Sequence, residues 1–210
     1  MMKIVVFGAT GRTGIPLVQL ALDAGYEVVA FARTPSRLPI VHERLTIVKG
    51  DIQNAGAVES AVIGADAVIS VLGPTSNKPD FAITKGTQNI LDAMNKHGVK
   101  RLVITAGAGV GDPNDVPRFI NRVISLLLKL LSRNVYEDMV RVVELVRGSD
   151  RDWTIVRVPM LTDQNPTGNI RVGYVGKGTG AKLSRRDMAF FLLSQVESDS
   201  YLRLSPVISN

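Results

Sequence analysis

The sequence predicts a single α/β domain over residues 1–210, with a doubly wound, mostly parallel sheet of about seven strands and helices on both faces. Short apolar runs alternate along the chain with longer segments of helical periodicity. The short runs are continuously apolar, which is typical of parallel strands that are buried on both faces. A chain of 210 residues is also long enough to bury one substantial core.

The predicted elements follow one another in chain order. Strands are expected at 3–7, 27–32, 45–48, 67–71, 100–105, 153–157 and 202–204. Helices are expected at 13–24, 55–62 and 80–97, the last ended by His97-Gly98 because glycine suits the left-handed residue after a helix. The segment 162–182 is rich in Gly, Asn and Thr, so we expect a loop region with little regular structure. We expect residues 106–182 to form the substrate side of the domain.

Composition excludes several classes of function. The absence of cysteine rules out disulfides, cysteine zinc sites and thiol catalysis, and we predict no metal site. The net charge is +6, but the basic residues are scattered and aromatic content is 5%, so nucleic-acid binding is not expected. No apolar run reaches the ~18–20 residues that span a bilayer. The chain begins with a strand-like segment instead of a signal peptide, so we expect a cytoplasmic protein with no membrane partner.

Residues 117–133 form a helical pattern whose apolar face is wider than an ordinary core stripe. One interpretation is a buried helix packed on the sheet. Another is a lid over a substrate pocket or a dimer contact, so the protein could be a monomer or a homodimer. Membrane attachment is the weakest interpretation, since the segment is too short to span.

A glycine-rich turn, Gly8-Ala9-Thr10-Gly11-Arg12-Thr13-Gly14, directly follows the first strand and opens the first helix. Gly8 permits the tight turn, Gly11 lets the backbone approach a pyrophosphate, and Gly14 lets the helix pack closely on the strand. The helix N-terminus then offers free N–H groups and a positive dipole end to phosphates. The pattern predicts a dinucleotide site of the Rossmann type.

The end of the second strand favours NADP(H) over NAD(H). NAD-binding domains usually place Asp or Glu there for the ribose 2′-hydroxyl, whereas this chain has Arg33, Thr34, Ser36 and Arg37. Two guanidinium groups and two hydroxyls can hold a 2′-phosphate by charge-assisted hydrogen bonds. Arg12 opposes the dipole of the first helix, and a bound phosphate would reverse that effect.

Other strand ends contribute further candidates. Asp51, in Gly50-Asp51-Ile52, either accepts a hydrogen bond from the adenine amino group or caps the next helix. The glycine of Leu72-Gly73-Pro74 lets the backbone pass close to the cofactor. The full predicted cofactor-binding set is Gly8, Thr10, Gly11, Arg12, Thr13, Gly14, Arg33, Arg37, Asp51, Ile52, Leu72, Gly73, Thr105 and Ala106.

These residues together resemble the atypical short-chain dehydrogenase/reductase group, in particular the NAD(P)H-binding proteins around biliverdin-IXβ reductase, or flavin reductase. The resemblance covers nearly the whole chain. It implies that Thr10, Gly11, Arg12 and Thr13 line the pyrophosphate, that Arg33 and Arg37 hold the 2′-phosphate, and that Asp51 contacts the adenine. The matching motifs, in order, are Phe7-Gly8-Ala9-Thr10-Gly11, Ala24-Gly25-Tyr26-Glu27-Val28, Ser36-Arg37-Leu38-Pro39, Gly50-Asp51, Asp66-Ala67-Val68-Ile69, His97-Gly98-Val99 and Thr167-Gly168.

The catalytic side chains of that group are not matched. The Tyr-x-x-x-Lys pair is broken, because Val140 follows Tyr136 by four residues, so Tyr136 is a packing candidate. Met139 stands where many relatives have lysine, Ala106 where flavin reductase-like proteins have serine, and Met160 where they have histidine. Neither histidine of this chain, His42 or His97, is placed for catalysis. The catalytic residues are therefore unknown, with Thr105 and Tyr136 as weak candidates.

Hydride transfer to a planar acceptor needs no protein nucleophile. The missing catalytic side chains therefore do not exclude a reductase. The predicted substrate pocket is Gly107, Pro159, Met160 and Leu161, although Met160 could equally fill the core. The leading hypothesis is an NADPH-dependent reductase of a flavin or a similar planar acceptor, such as biliverdin or a quinone. The alternative is a non-catalytic NADP(H)-binding redox sensor. Sugar-nucleotide or isoprenoid-type chemistry is a third, which the broken Tyr/Lys pair disfavours.

Overall fold

The computed structural model describes residues 1–74, 76–116 and 131–210. Within them, eight strands form one sheet in the order β3-β2-β1-β4-β5-β6-β10-β8, and β7 and β9 form a separate parallel ribbon. The strands are β1 Lys3–Phe7, β2 Glu27–Ala32, β3 Leu45–Lys49, β4 Ala67–Ser70, β5 Arg101–Gly107, β6 Asp152–Val158, β7 Met160–Thr162, β8 Arg171–Gly173, β9 Lys182–Ser184 and β10 Val207–Ser209.

The sheet is doubly wound around β1. This strand pairs in parallel with β2 on one side and with β4 on the other, so the strand order reverses there. Of the eight described strands in this sheet, β8 alone runs antiparallel, at the edge beyond β10. In sheets of this kind ligands bind outside the carboxyl ends of the strands at the point of reversal. The fold thus places a binding crevice beyond the end of β1.

Helices cover both faces of the sheet. The helices are α1 Gly14–Asp23, α2 Ala55–Val62, α3 Ala82–Lys96, α4 Arg133–Arg147 and α5 Arg185–Ser194. Helices α2, α3 and α4 share one buried apolar cluster with the sheet, and α1 and α5 share a second cluster on the opposite face. The odd residues of β1, Val5 and Phe7, enter the first cluster, and Ile4 and Val6 enter the second. Burial on both faces explains why the predicted strands are continuously apolar.

The predicted fold class is confirmed, and the first six predicted strands and the three predicted helices lie where the sequence placed them, within one or two residues. The predicted strand 202–204 is wrong. Those residues form a turn, in which Leu204 makes an isolated bridge to Thr154, and the last strand is β10. The turn has a physical cause, because Arg203 takes a left-handed conformation with φ +54° that cannot continue an extended strand.

The expectation of little regular structure at 162–182 also needs correction. This segment contains β8, which pairs with β10, and Tyr174 and Lys177 form a further bridge. Helices α4 and α5 are additions that the sequence reasoning did not make. Most of the proposed 117–133 helix, residues 117–130, lies outside the described residues. None of the helices in the described ranges is long and apolar enough to cross a membrane.

Candidate functional site

The register of the sheet brings the predicted site segments to one edge. Phe7, the last residue of β1, pairs with Phe31 of β2 and with Ser70 of β4. Lys49 of β3 pairs with Ala32, and Val158 of β6 pairs with Gly107 of β5. Parallel strands spaced about 4.8 Å apart therefore end side by side. Across this edge the segments run in the order 50–52, 33–37, 8–14, 72–73, 105–107 and 159–161.

The glycine turn is closely packed in the way that the sequence predicts. Gly8 has φ +84°, and a Cβ there would lie 3.0 Å from the carbonyl of Val71. A Cβ on Gly14 would lie 2.1 Å from the Gly8 oxygen, so α1 rests directly on the turn. The Gly11 N–H donates to that same oxygen at 3.0 Å. The turn is therefore a rigid backbone unit that admits no side chain at either end.

The outer side of the turn is open. A Cβ on Gly11 would meet, apart from its chain neighbours, only the Gly8 oxygen at 3.2 Å, and one on Gly73 would have no neighbour within 4 Å among the described residues. Thr10 is half-buried, whereas the Thr13 side chain is buried and donates to the Met188 sulfur at 4.0 Å. Thr13 thus turns its hydroxyl toward α5. The open backbone surface at the start of α1 fits a pyrophosphate, which helix N-termini commonly bind.

Two arginines stand free at the neighbouring strand end. Arg33 follows β2, and Arg37 closes a 3₁₀ turn, Pro35–Arg37. Both side chains are exposed and make no ion pair within the described part of the chain. No carboxylate follows β2 to bind a ribose hydroxyl. The unpaired guanidinium groups fit a ribose 2′-phosphate.

Asp51 does not cap α2, so that alternative is wrong. The cap is Asn54, whose side chain accepts from the Ala57 N–H at 3.0 Å, while Asp51 accepts from the Gln53 N–H at 2.9 Å in a local turn. Ile52 packs against α3, where a Cβ on Gly86 would lie 2.2 Å from its Cγ1. Asp51 therefore sits exposed at the carboxyl edge, with its adenine role left as a prediction.

At the carboxyl edge of the sheet, the segments farthest from Asp51 follow β5 and β6. Thr105 is 7% exposed, and its hydroxyl donates to the Ser70 carbonyl at 3.4 Å, which ties β5 to β4. Ala106 is buried, whereas Gly107 is exposed. Met160 is 58% exposed, so the core-filling interpretation is wrong, and Leu161 packs on the second apolar cluster. Pro159, between β6 and β7, is half-buried.

The positions that replace the catalytic residues of related proteins have structural roles here. Met139 is buried in the first apolar cluster, so α4 packs a thioether where relatives have lysine. Tyr136 is half-buried on the same helix. His97 follows the end of α3 and contacts Glu59 at 3.1 Å, and His42 accepts from the Arg44 N–H, so both lie away from the carboxyl edge. No cluster of metal-ligating side chains occurs in the described ranges.

A charged cluster that sequence reasoning did not find joins the turn to the segment after β7. We call residues 163–168 the strap. Asp163 of the strap forms ion pairs with Arg12 of the glycine turn and with Arg185 of α5. Arg12 is thus paired, in contrast to Arg33 and Arg37.

The other end of the strap is anchored on a buried carboxylate. Asp187 accepts from the backbone N–H groups of Thr167, at 2.9 Å, and Gly168, at 3.0 Å. Burial acts to raise the pKa of Asp187, but these bonds and the one from Ser184 outweigh it and hold the pKa below the ordinary value. The side chain therefore stays ionised and fixes the strap end beside α5.

A sequence signal for this anchor existed. Ser184 and Asp187 form a Ser-x-x-Asp pattern before an apolar run, which marks a helix N-terminus. In the structure the Ser184 oxygen accepts from the Asp187 N–H at 3.0 Å, as such a cap requires. Nothing in the sequence pairs Asp163 with Arg12, since only the fold brings these segments together.

The fold and the glycine turn define a Rossmann-type dinucleotide-binding protein. A family model described as NAD(P)H-binding matches residues 8–199. The chain belongs to this NAD(P)H-binding family.

Similar proteins include oxidoreductases. A 3-beta-hydroxysteroid dehydrogenase of Mycolicibacterium neoaurum is 37% identical over 120 residues, 51% of this chain and 32% of that enzyme. The chain spans only about a third of the length of this enzyme and of other dehydrogenase and reductase relatives that it matches.

Solved structures show the same fold. A short-chain dehydrogenase/reductase of Veillonella parvula in complex with NADP has a TM-score of 0.82 and 20% identity, with 100% of this chain and 94% of that one covered. ChuY of Escherichia coli O157:H7, described as an anaerobillin reductase, has a TM-score of 0.78 and 19% identity, with coverage of 99% and 97%.

Proposed function

We propose that this protein is an NADPH-dependent reductase that transfers a hydride to a planar acceptor such as a flavin, biliverdin or a quinone. The observation that carries the proposal is the open glycine turn beside two exposed arginines, Arg33 and Arg37, which form no ion pair with any residue that the structure describes. The NADP-bound dehydrogenase/reductase and the anaerobillin reductase with similar folds support the same function.

The nicotinamide cofactor would supply the hydride. The chain's own part is to bind and orient. The Gly8–Gly14 backbone would hold the pyrophosphate, and the arginines would hold the 2′-phosphate. Gly107, Pro159, Met160 and Leu161 lie on neighbouring strand ends, where a flat acceptor could stack. Exposed Met160 provides an adaptable apolar surface that excludes water from one side.

The proton that completes the reduction is assigned to solvent. The Thr105 hydroxyl already donates to the Ser70 carbonyl, and Ala106 offers no donor. Met139 is buried instead of placing a cation in the site. An acceptor whose reduced form takes a proton from water is therefore favoured over a carbonyl substrate that needs an acidic tyrosine.

The test is a panel assay. The purified protein is mixed with NADPH and, in turn, with FMN, riboflavin, biliverdin and a quinone, and loss of NADPH absorbance is followed against protein-free controls. We expect turnover with at least one planar acceptor. If every acceptor gives only the background rate, the reductase proposal is wrong.

Cofactor choice is tested by Arg33→Asp. We expect NADPH affinity to fall roughly 10- to 100-fold, because a charge-assisted bond is lost and a repulsive charge is gained, while NADH affinity changes less than about threefold. Titration calorimetry with both nucleotides measures the difference. Arg171→Asp is the matched control, since it makes the same charge change at the opposite edge of the sheet. Equal losses for NADPH and NADH would show that the 2′-phosphate lies elsewhere.

A non-catalytic NADP(H) sensor is the second candidate. It is favoured by the buried Met139 and by the bonded Thr105, which place no free acid or base at these two positions. Tight binding of both NADP⁺ and NADPH with no turnover in the panel would support it. Turnover with any acceptor at rates far above background would exclude it.

A further inference from the structure

One carboxylate lies between two arginines at the glycine turn. Asp163 Oδ1 is 2.7 Å from the Arg185 guanidinium, and Oδ2 contacts the Arg12 guanidinium. Within the described part of the chain, the Asp163 side chain makes no other polar contact. The two arginines come from different elements, and the carboxylate lies between their charges.

The cluster keeps an excess of positive charge. Arg12 and Arg185 together carry two positive charges against the single charge of Asp163. Arg186, next in the chain, is exposed and makes no ion pair within the described ranges. Guanidinium groups bind carboxylate and phosphate oxygens with the same fork geometry. An anion with more charge than a carboxylate would therefore satisfy this pair of arginines better.

The pair also lies where a phosphate is expected. Arg12 belongs to the turn that opens α1, and Arg185 is the first residue of α5. These two helices pack together, with Thr13 of one against Met188 of the other. The Arg12 side chain is 68% exposed and lines an open groove of about 1160 Å³ between α1, α5 and the strap. An anion can therefore reach the arginines from solvent.

The strap is held at one end independently of this cluster. Thr167 and Gly168 are fixed by Asp187, so losing the Asp163 contacts would release only the first part of the strap. The Asp163 side chain is 55% exposed, so its ion pairs are the weak, exchangeable kind. A competing anion can displace it without unfolding the neighbouring elements.

We propose that Arg12 and Arg185 form a phosphate seat of the cofactor site, and that Asp163 occupies this seat in the free protein. Binding of the dinucleotide moves the arginines from the Asp163 carboxylate to a cofactor phosphate and frees the first residues of the strap. Asp163 thus lowers cofactor affinity, and Arg185 is a phosphate ligand outside the glycine motif. The inference rests on the cofactor site of the proposed function.

The test measures binding of NADP⁺ and NAD⁺ to the full chain by calorimetry. Asp163→Asn removes the competing charge and should tighten binding roughly three- to tenfold. A gain for both nucleotides would place the pyrophosphate in the seat, and a gain for NADP⁺ alone would place the 2′-phosphate there. Unchanged or weaker binding by Asp163→Asn would overturn the proposal.

Two further measurements distinguish phosphate binding at Arg12 and Arg185 from a general effect of positive charge on nucleotide affinity. Arg185→Ala should weaken binding and abolish the gain from Asp163→Asn, whereas Arg186→Ala, the matched neighbour, should change affinity less than about twofold. Hydrogen exchange should quicken at residues 163–165 when NADP⁺ binds and stay slow at Thr167 and Gly168. Equal effects of the two arginine variants, or no change in exchange, would count against the seat. If the wild type binds neither nucleotide, the proposed function itself fails.

Discussion

Replacing Gly14 with alanine is expected to lower both the stability of the protein and its affinity for NADPH. The new Cβ would lie 2.1 Å from the Gly8 oxygen and 2.8 Å from two backbone atoms of Ala9. Backbone atoms of a tight turn cannot move separately, so α1 must shift off the turn. We expect a loss of about 1–3 kcal/mol in the free energy of unfolding, as for other overpacked sites. NADPH affinity should fall more than about tenfold, because the helix N-terminus no longer faces the phosphates.

A second variant separates the effect on stability from the effect on NADPH binding. Gly11→Ala adds a Cβ whose one close non-neighbouring contact in the described structure is the Gly8 oxygen at 3.2 Å, so stability should fall much less than in Gly14→Ala. The methyl group would instead occupy the face that a pyrophosphate approaches, and binding should still be lost. Gly56→Ala in α2 is the control, because its Cβ meets only Asn54 Oδ1 at 3.5 Å. Chemical denaturation and calorimetry on the three variants supply both quantities. If Gly14→Ala binds NADPH as tightly as the wild type does, the turn is not the phosphate site.

The glycine turn was predictable because its signal is local. Strand, turn and helix follow one another within residues 3–14, and each glycine has one geometric reason to be there. The sheet was predictable for a related reason, since burial on both faces leaves continuous apolar runs. Helix α4 also carried a pattern, with Met139, Val142, Val143 and Val146 at helical spacing and buried, which the sequence reasoning overlooked.

Two features could not be predicted from local sequence patterns. Residues 202–204 and 207–209 are both apolar enough for a strand, and only the left-handed Arg203 decides between them. The Asp163 cluster depends on three segments that meet through the packing of α1 on α5. Exposed charges carry no periodicity that would mark them as partners. The alignment of the predicted site segments along one edge of the sheet could therefore be derived from the sequence, whereas the contacts around that edge required the structure.

Removing the charge of Asp115 is expected to cost about 3–5 kcal/mol of unfolding free energy, because it leaves a buried arginine without its partner. Arg157 of β6 is fully buried and binds both carboxylate oxygens of Asp115, at 2.7 and 2.8 Å. Its remaining donors bond the carbonyls of Ser205 and Val110. Asp115→Asn keeps the size of the side chain while losing the charge and one acceptor oxygen, so the loss reports the ion pair together with the backbone hydrogen bond to that oxygen. Urea unfolding of the variant measures it.

The same pair predicts a pH dependence. Burial acts to raise the pKa of Asp115, but hydrogen bonding and the charge of Arg157 outweigh burial and hold it below the ordinary value. A carboxylate with a depressed pKa contributes stability that is present above its unfolded pKa of about 3.9 and is lost as the pH falls through the folded value. The pKa of Asp187 is also held below its ordinary value, so Asp187 likewise contributes stability that is lost as the pH falls. The wild type should therefore lose stability in this acid range, and Asp115→Asn should lose less.

The location of this pair separates cofactor binding from turnover. Asp115 also accepts from the N–H groups of Asp112 and Val175, so it holds the loop after β5 against the segment after β8. Arg33 and Arg37, which we propose as cofactor ligands, follow β2, on the opposite side of β1 in the strand order. Asp115→Asn should therefore leave NADPH affinity within about threefold of the wild type while lowering the rate with the acceptor. The variant Arg157→Met/Asp115→Asn should recover part of the stability, since no unpaired charge stays buried. A double variant less stable than Asp115→Asn would mean that Arg157 acts mainly through its carbonyl bonds.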